Sequence, residues 1–252
     1  MATSLRAQVA QRSRPQGASG RRIQVFADGA DRATMLRLYG EGDVDGFTTN
    51  PTLMRKAGVT DYEAFARSLL DAIPDLPISF EVFADDFATM KHQAQKIASW
   101  GRNVVVKIPI TNTRGESAIP LVRELAGDGL HVNVTAVMTP EQAGAVVHAI
   151  PGPAQLIVSV FAGRIADTGR DPMPIMREIV DICRDGEGFR VLWASPREVL
   201  NAYQADECGC HIITATADLL EKLKLFGKDL TEFSRETVQM FFDDARRAEY
   251  RL

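Results

Sequence analysis

At 252 residues the chain is too long for a mini-domain and short for two full domains, a length that suits one α/β barrel. With 45% hydrophobic and 25% charged residues it can bury a sizeable core, and a net charge of −4 argues against nucleic acid or an anionic membrane as partner. No apolar run approaches the roughly 20 residues of a bilayer span. Three cysteines without a CxxC, and four scattered histidines, indicate neither a disulfide framework nor a metal site. The expectation is a reducing, cytoplasmic, metal-independent protein.

Residues 1–22 stand apart. They carry Arg6, Arg12, Arg14, Arg21 and Arg22 with no acid; with +5 here and −4 overall, the remainder holds −9. The segment lacks the apolar stretch of a secretory signal and the clear amphipathic face of an organelle transit peptide, so it reads as a basic, disordered extension. From Ile23 onward, short apolar or β-branched runs recur: IQVFAD (23–28), GFTTN (46–50), ISFEVF (78–83), VVVKIPI (104–110), HVNVTAV (131–137), LIVSVF (156–161), FRVLWAS (189–195) and HIITATA (211–217). Between them lie helix-like stretches such as DYEAFARSLLDAI, DDFATMKHQAQKIASW and PIMREIVDIC. The spacing of strand starts averages about 27 residues, close to one β/α unit. Eight units in a row predict a (β/α)8 TIM barrel over residues 23–252, one domain closed by a helical tail from Asp229 to Leu252. No GxGxxG follows the first strand, which argues against a doubly wound sheet. Two helix starts carry capping-box patterns, Thr139-Pro140-Glu141-Gln142 and Ser195-Pro196-Arg197-Glu198.

Barrel strands alternate between the helix layer and the interior, and catalysis sits at their C-terminal ends. The predicted strands are apolar except for a recurring polar set: Asp28, Thr48, Asn50, Glu81, Lys107, Asn133, Thr135 and Ser159, with Phe161 two residues beyond. A period of two lets each pair share an inward face. Lys107 is the sharpest. A lysine inside VVVKIPI must snorkel, pair or lose its proton. The plainer reading is a structural ion pair with Glu81 or Asp28; the functional one is an amine that attacks a carbonyl to form a Schiff base. Arg164 follows the sixth strand, and Ser195 and Arg197 follow the seventh, where barrels often bind phosphate. Each has a plainer alternative: an ion pair of Arg164 with Asp167 or Asp171, an N-cap for Ser195, a solvated charge for Arg197.

FADGAD, DGFTTNPTL, SFEVF, VVVKIPIT, NVTAVMTPEQA, SVFAGRIADTGRDP and WASPREV resemble segments of the transaldolase family, the Schiff-base sugar-phosphate barrels, over about residues 23–225. The resemblance implies Lys107 as the Schiff-base lysine and Asp28 as acid/base on the substrate hydroxyl. It implies Glu81 with Thr135 holding a catalytic water, and Thr48, Asn50, Asn133, Ser159 and Phe161 around a dihydroxyacetone unit. Arg164, Ser195 and Arg197 would take the distant phosphate. Related barrels acting as fructose-6-phosphate aldolases carry glutamine and tyrosine where this chain has Glu81 and Phe161, so the resemblance favours transferase over aldolase. Gly29 and Pro196 depart from the family pattern and bear on acceptor size and phosphate geometry. The implied partners are phosphorylated sugars, with no cofactor; a homo-oligomer is compatible with the sequence. A lyase releasing dihydroxyacetone and a silent sugar-phosphate binding barrel are the competing readings.

Overall fold

A computed structural model describes residues 23–150 and 152–251; the extension expected over residues 1–22 lies outside them. Eight strands, β1 (Gln24–Asp28), β2 (Gly46–Thr48), β3 (Ile78–Glu81), β4 (Val104–Pro109), β5 (Val132–Val137), β6 (Leu156–Val160), β7 (Phe189–Trp193) and β8 (Ile212–Ala215), pair in parallel in chain order. β8 returns to β1 and closes the barrel. Every strand falls within one of the eight runs read from the sequence, because each run is apolar enough to be covered on both faces. The fold is a (β/α)8 barrel, as expected.

Helices follow the strands: α1 (Arg32–Glu41) after β1, α2 (Pro51–Lys56) and α3 (Tyr62–Ala72) after β2, α4 (Phe87–Ala98) after β3, and α5 (Ile119–Gly127) after β4. Next come α6 (Pro140–Ala149), α7 (Ala162–Asp167), α8 (Pro172–Cys183), α9 (Leu200–Glu207), α10 (Ala217–Lys222) and α11 (Leu230–Arg247). Side-chain N-caps fix many of the starts: Asp31, Asp61, Asp86, Asp171 and Asp229 each accept a backbone N–H of the first turn. The capping box predicted at Thr139 forms, with Pro140 at the first helical position. The one predicted at Ser195 does not. Ser195 has φ of 57°, outside the extended region an N-cap needs, and Asn201 from inside α9 accepts the Arg197 and Glu198 N–H groups instead.

The main core lies between strands and helices, while Phe26, Val105, Ile157, Leu192, Ala194 and Ile212 fill the barrel interior with Phe161 packed against them. Phe26 sets a local requirement. A Cβ at the neighbouring Gly46 would lie 2.6 Å from its ring, so a residue without a side chain is needed for the ring to enter the barrel. α11 forms where the sequence placed a helical tail, yet none of its residues is buried. Leu230, Phe233, Met240 and Phe241 recur on it at helical spacing and stay open to solvent.

Candidate active site

Five of the polar residues expected to point inward, joined by Ser79, occupy two rows that run from within the strands to their C-terminal ends. Asp28, Thr48 and Ser79 lie side by side in register on β1, β2 and β3. Glu81, Lys107 and Asn133 do the same on β3, β4 and β5. Register alone therefore assembles acid, amine and amide, and the hydrogen bonds below follow from it.

Lys107 is 6% exposed; its Nζ donates to the Thr49 carbonyl at 2.9 Å and lies 3.0 Å from Glu81 Oε2. The ion pair foreseen in the plainer reading thus exists, with Glu81 as partner. It does not exclude chemistry, since a carboxylate at that distance can also accept a proton from the ammonium. Asp28 accepts from Thr48 Oγ1 at 2.7 Å. Burial pushes its carboxyl above the ordinary value, while the Lys107 charge and the Thr48 hydroxyl pull it back and Glu81 adds to the rise. Asn133, fully buried, donates from Nδ2 to Ser79 Oγ at 3.3 Å and accepts from Ser159 Oγ at 2.7 Å. Asn50 caps α2 through Oδ1, which leaves its NH2 group for any other partner.

Thr135 owes its setting to a bulge. The β5–β6 register shifts between Val134 and Val137, and Ala136 takes φ of 62°. Thr135 Oγ1 is buried and finds no protein partner among the described residues, an arrangement that suits a hydroxyl aimed at a substrate or water. Left-handed backbone at a non-glycine residue recurs at Ser195, and both positions lie at the mouth of the barrel. The Ser195 turn presses on α7: a Cβ at Gly163 would meet the Ser195 carbonyl oxygen at 1.5 Å. Only glycine permits that approach.

At the expected phosphate end the outcome is mixed. Arg164 is exposed and its guanidinium lies 5.3 Å from the centroid of the Phe161 ring. Arg197 forms a two-bond fork with Asp167, Nε to Oδ1 at 2.9 Å and an Nη to Oδ2. The ion pair weighed for Arg164 is therefore made by Arg197, because the turn after β7 brings residue 197 to the end of α7.

Sequence reasoning passes over several residues. Ser79 and Thr214 are small hydroxyls two positions from a flagged or polar residue, and the same alternation could have found them. Tyr62 could not be found that way. Its hydroxyl accepts the Glu81 N–H and donates to the Glu81 carbonyl, both at 2.9 Å, on the edge of β3 where β2 has already ended. Burial raises the Tyr62 phenol well above its ordinary value, so it stays protonated and can donate.

A closed parallel barrel with a buried lysine, a paired carboxylate and an acid at the strand ends defines an enzyme of the barrel class, with its chemistry at the C-terminal face. The sequence pattern of the transaldolase/fructose-6-phosphate aldolase family matches residues 25–252. A probable transaldolase of Dehalococcoides mccartyi is 34% identical over 80% of this chain and 90% of its own length. Another, from Caulobacter sp. strain K31, is 36% identical over 85% of this chain and 96% of its own. The chain belongs to the transaldolase/fructose-6-phosphate aldolase family. Among solved structures, dihydrodipicolinate synthase from Rhodopseudomonas palustris superposes with a TM-score of 0.59 at 16% identity, covering 88% of this chain and 79% of that one. KGPDC from Streptococcus mutans gives 0.54 at 14% identity, over 83% and 98%. At such identities these two speak for the fold alone.

Proposed function

We propose that the protein is a transaldolase, moving a dihydroxyacetone unit from a ketose phosphate to an aldose phosphate through an imine on Lys107. The observation that carries this reading is the in-register row Glu81–Lys107–Asn133, with Asp28 on the neighbouring row. Family membership supports it.

In this mechanism Glu81 accepts a proton from the Lys107 ammonium, and the free amine attacks the ketose carbonyl. Loss of water gives the protonated imine. Asp28 takes the proton of the substrate hydroxyl next to the bond that breaks; the electron pair of that bond enters the imine to give an enamine, and the aldehyde leaves. An acceptor aldehyde then reverses these steps. Glu81 and Thr135 hold the water that adds and leaves, and Asn133, Ser159, Asn50 and Thr48 surround the three-carbon unit beside Phe161. Arg164, Ser195 and Arg197 take the phosphate, with Pro196 offering no N–H there. No step calls for a metal or an organic cofactor.

The barrel domain spans residues 23–252 in this reading. The homo-oligomer with which the sequence is compatible would use α11 in this reading: large apolar side chains on an exposed helix need a cover, and a second copy of the chain supplies one. Three free, buried thiols, Cys183, Cys208 and Cys210, suit a reducing cytoplasm. Among the described residues no helix is long and apolar enough to cross a membrane.

The deciding experiment couples fructose 6-phosphate and erythrose 4-phosphate turnover to borohydride trapping. Transfer should require acceptor, and borohydride should fix the donor-derived unit on Lys107 only. A label that survives in Lys107→Ala, or lands on another lysine, would overturn the mechanism; equal release of dihydroxyacetone without acceptor would make the enzyme a lyase.

A further inference from the structure

β2 and β8 both flank β1, and their inward hydroxyls meet across it. Thr214 on β8 is 4% exposed, and its Oγ1 lies 2.6 Å from Thr48 Oγ1, which in turn lies 2.7 Å from Asp28 Oδ1. Proton counting gives the chain a direction. A threonine hydroxyl has one proton. Thr48 spends its proton on Asp28, so the bond between the two threonines must be donated by Thr214.

We propose that Thr214 is a positioning residue for Asp28: donating through Thr48, it locks one carboxylate oxygen and leaves Oδ2 as the oxygen that takes the substrate proton. The proposal deepens the transaldolase reading and rests on it. Among the described residues no hydrogen bond reaches Asp28 Oδ2, so the two oxygens are not equivalent. The charged groups acting on Asp28 are the Lys107 ammonium from β4 and the Glu81 carboxylate from β3; Thr48 and Thr214 face it from β2 and β8 as neutral donors. Successive hydroxyl donors polarise one another, so a proton given by Thr214 strengthens the Thr48 bond to the carboxylate. Without Thr214, Thr48 can turn its proton elsewhere and its oxygen loses a donor. Asp28 then holds its own proton more tightly and its carboxyl is free to rotate. The effect should appear in bond cleavage, which needs Asp28 as base, and spare imine formation on Lys107.

Thr214→Val keeps the shape and removes the hydroxyl; Thr214→Ala removes it without a branched replacement; Thr214→Ser keeps it. Each is assayed for the pH dependence of transfer kcat and for borohydride trapping of dihydroxyacetone, which has no β-hydroxyl carbon and so no aldol bond to cleave. In Thr214→Val or Thr214→Ala the acid limb of kcat should move up by roughly one pH unit, the scale of one lost hydrogen bond. Trapping on Lys107 should persist, and Thr214→Ser should keep the wild-type limb. A limb unmoved in either deletion variant that still traps the substrate overturns the proposal, as does a shift in Thr214→Ser equal to that in Thr214→Val. A wild type that is never trapped overturns the transaldolase reading instead, and the proposal with it.

Discussion

The Asp167 carboxylate holds the Arg197 guanidinium in a two-bond fork across the gap between α7 and the turn after β7. Arg197 holds the Asp167 carboxyl below its ordinary range. One of the two cations at the expected phosphate end is thus already engaged. The two side chains are 47% and 51% exposed, so solvent screens the pair and its net contribution is small. A pair this weakly held is one that the phosphate of the proposed substrate would displace or share.

If Asp167 competes with the substrate phosphate, Asp167→Asn should lower the KM for phosphorylated sugars by about two- to five-fold, the range that an exposed pair of this kind spans. Arg197→Ala should raise the same KM by roughly an order of magnitude or more, because it deletes a charge-assisted hydrogen bond. Dihydroxyacetone, which has no phosphate, should bind unchanged in both variants. Parallel shifts for both kinds of substrate would mean that the pair supports the turn and not the ligand.

What the sequence makes legible follows a physical line. Lys107, Glu81 and Asn133 stand out because a charged or amide side chain in an apolar strand is costly unless it has a use. Register then turns three separate oddities into one row, which spacing alone could not do. Ser79 and Thr214 escape because small hydroxyls are common in strands and carry no such cost. Ser195 reads as a cap in the sequence because the residue pattern does not report φ. The α11 helix is foreseeable from its N-cap and periodicity, but whether a helix packs on its own chain depends on where the preceding turn aims it.

Asp28, the base of the proposed mechanism, ties that role to stability with a definite sign. Burial raises its folded pKa above the ordinary 3.8. The folded state therefore holds the proton more tightly than the unfolded chain, and stability falls as pH rises from about the unfolded value through the folded one. Below that window both states are protonated and the burden vanishes. Asp28→Asn removes a buried charge, so the variant should melt higher than wild type at pH 7, with the gain shrinking toward zero near pH 3. Its transfer rate should drop by roughly 100-fold or more, as for a lost general base. Scanning calorimetry across pH checks the first part; a constant difference between the two proteins at all pH values would contradict it.

The exposed stripe on α11 predicts assembly. Light scattering behind a sizing column should give a mass above 27.7 kDa, and the pair Phe233→Ser with Phe241→Ser should move the protein toward the single-chain mass. Circular dichroism should change little, since none of α11 is buried in its own barrel. A single-chain mass for the wild type across the concentration range would rule the second copy out.

In the proposed mechanism Phe161 lies between the three-carbon unit and the phosphate, and its ring separates two effects that one substitution could confuse. It packs on the barrel interior and also carries the Arg164 guanidinium 5.3 Å from its centroid. Removing the ring in Phe161→Leu should therefore raise the KM for phosphorylated sugars by about two- to five-fold, the scale of an exposed cation–π contact. It should leave the ratio of transfer to release alone. Phe161→Tyr keeps the ring beneath Arg164 and adds a hydroxyl near the enamine, a group that can protonate it or steady a water that does. Glu81→Gln in addition removes the carboxylate beside Lys107 Nζ, 3.0 Å away in the wild type. The double variant, whose ammonium must lose its proton to water in place of Glu81, should be trapped on Lys107 by borohydride more slowly yet release more free dihydroxyacetone per transfer event, while the phosphate KM stays near that of wild type. Measuring transfer and release side by side in the three proteins separates the roles. If Phe161→Leu shifts the partition as far as Phe161→Tyr does, ring loss and not the hydroxyl governs it, and Phe161 is a packing residue that happens to line the site.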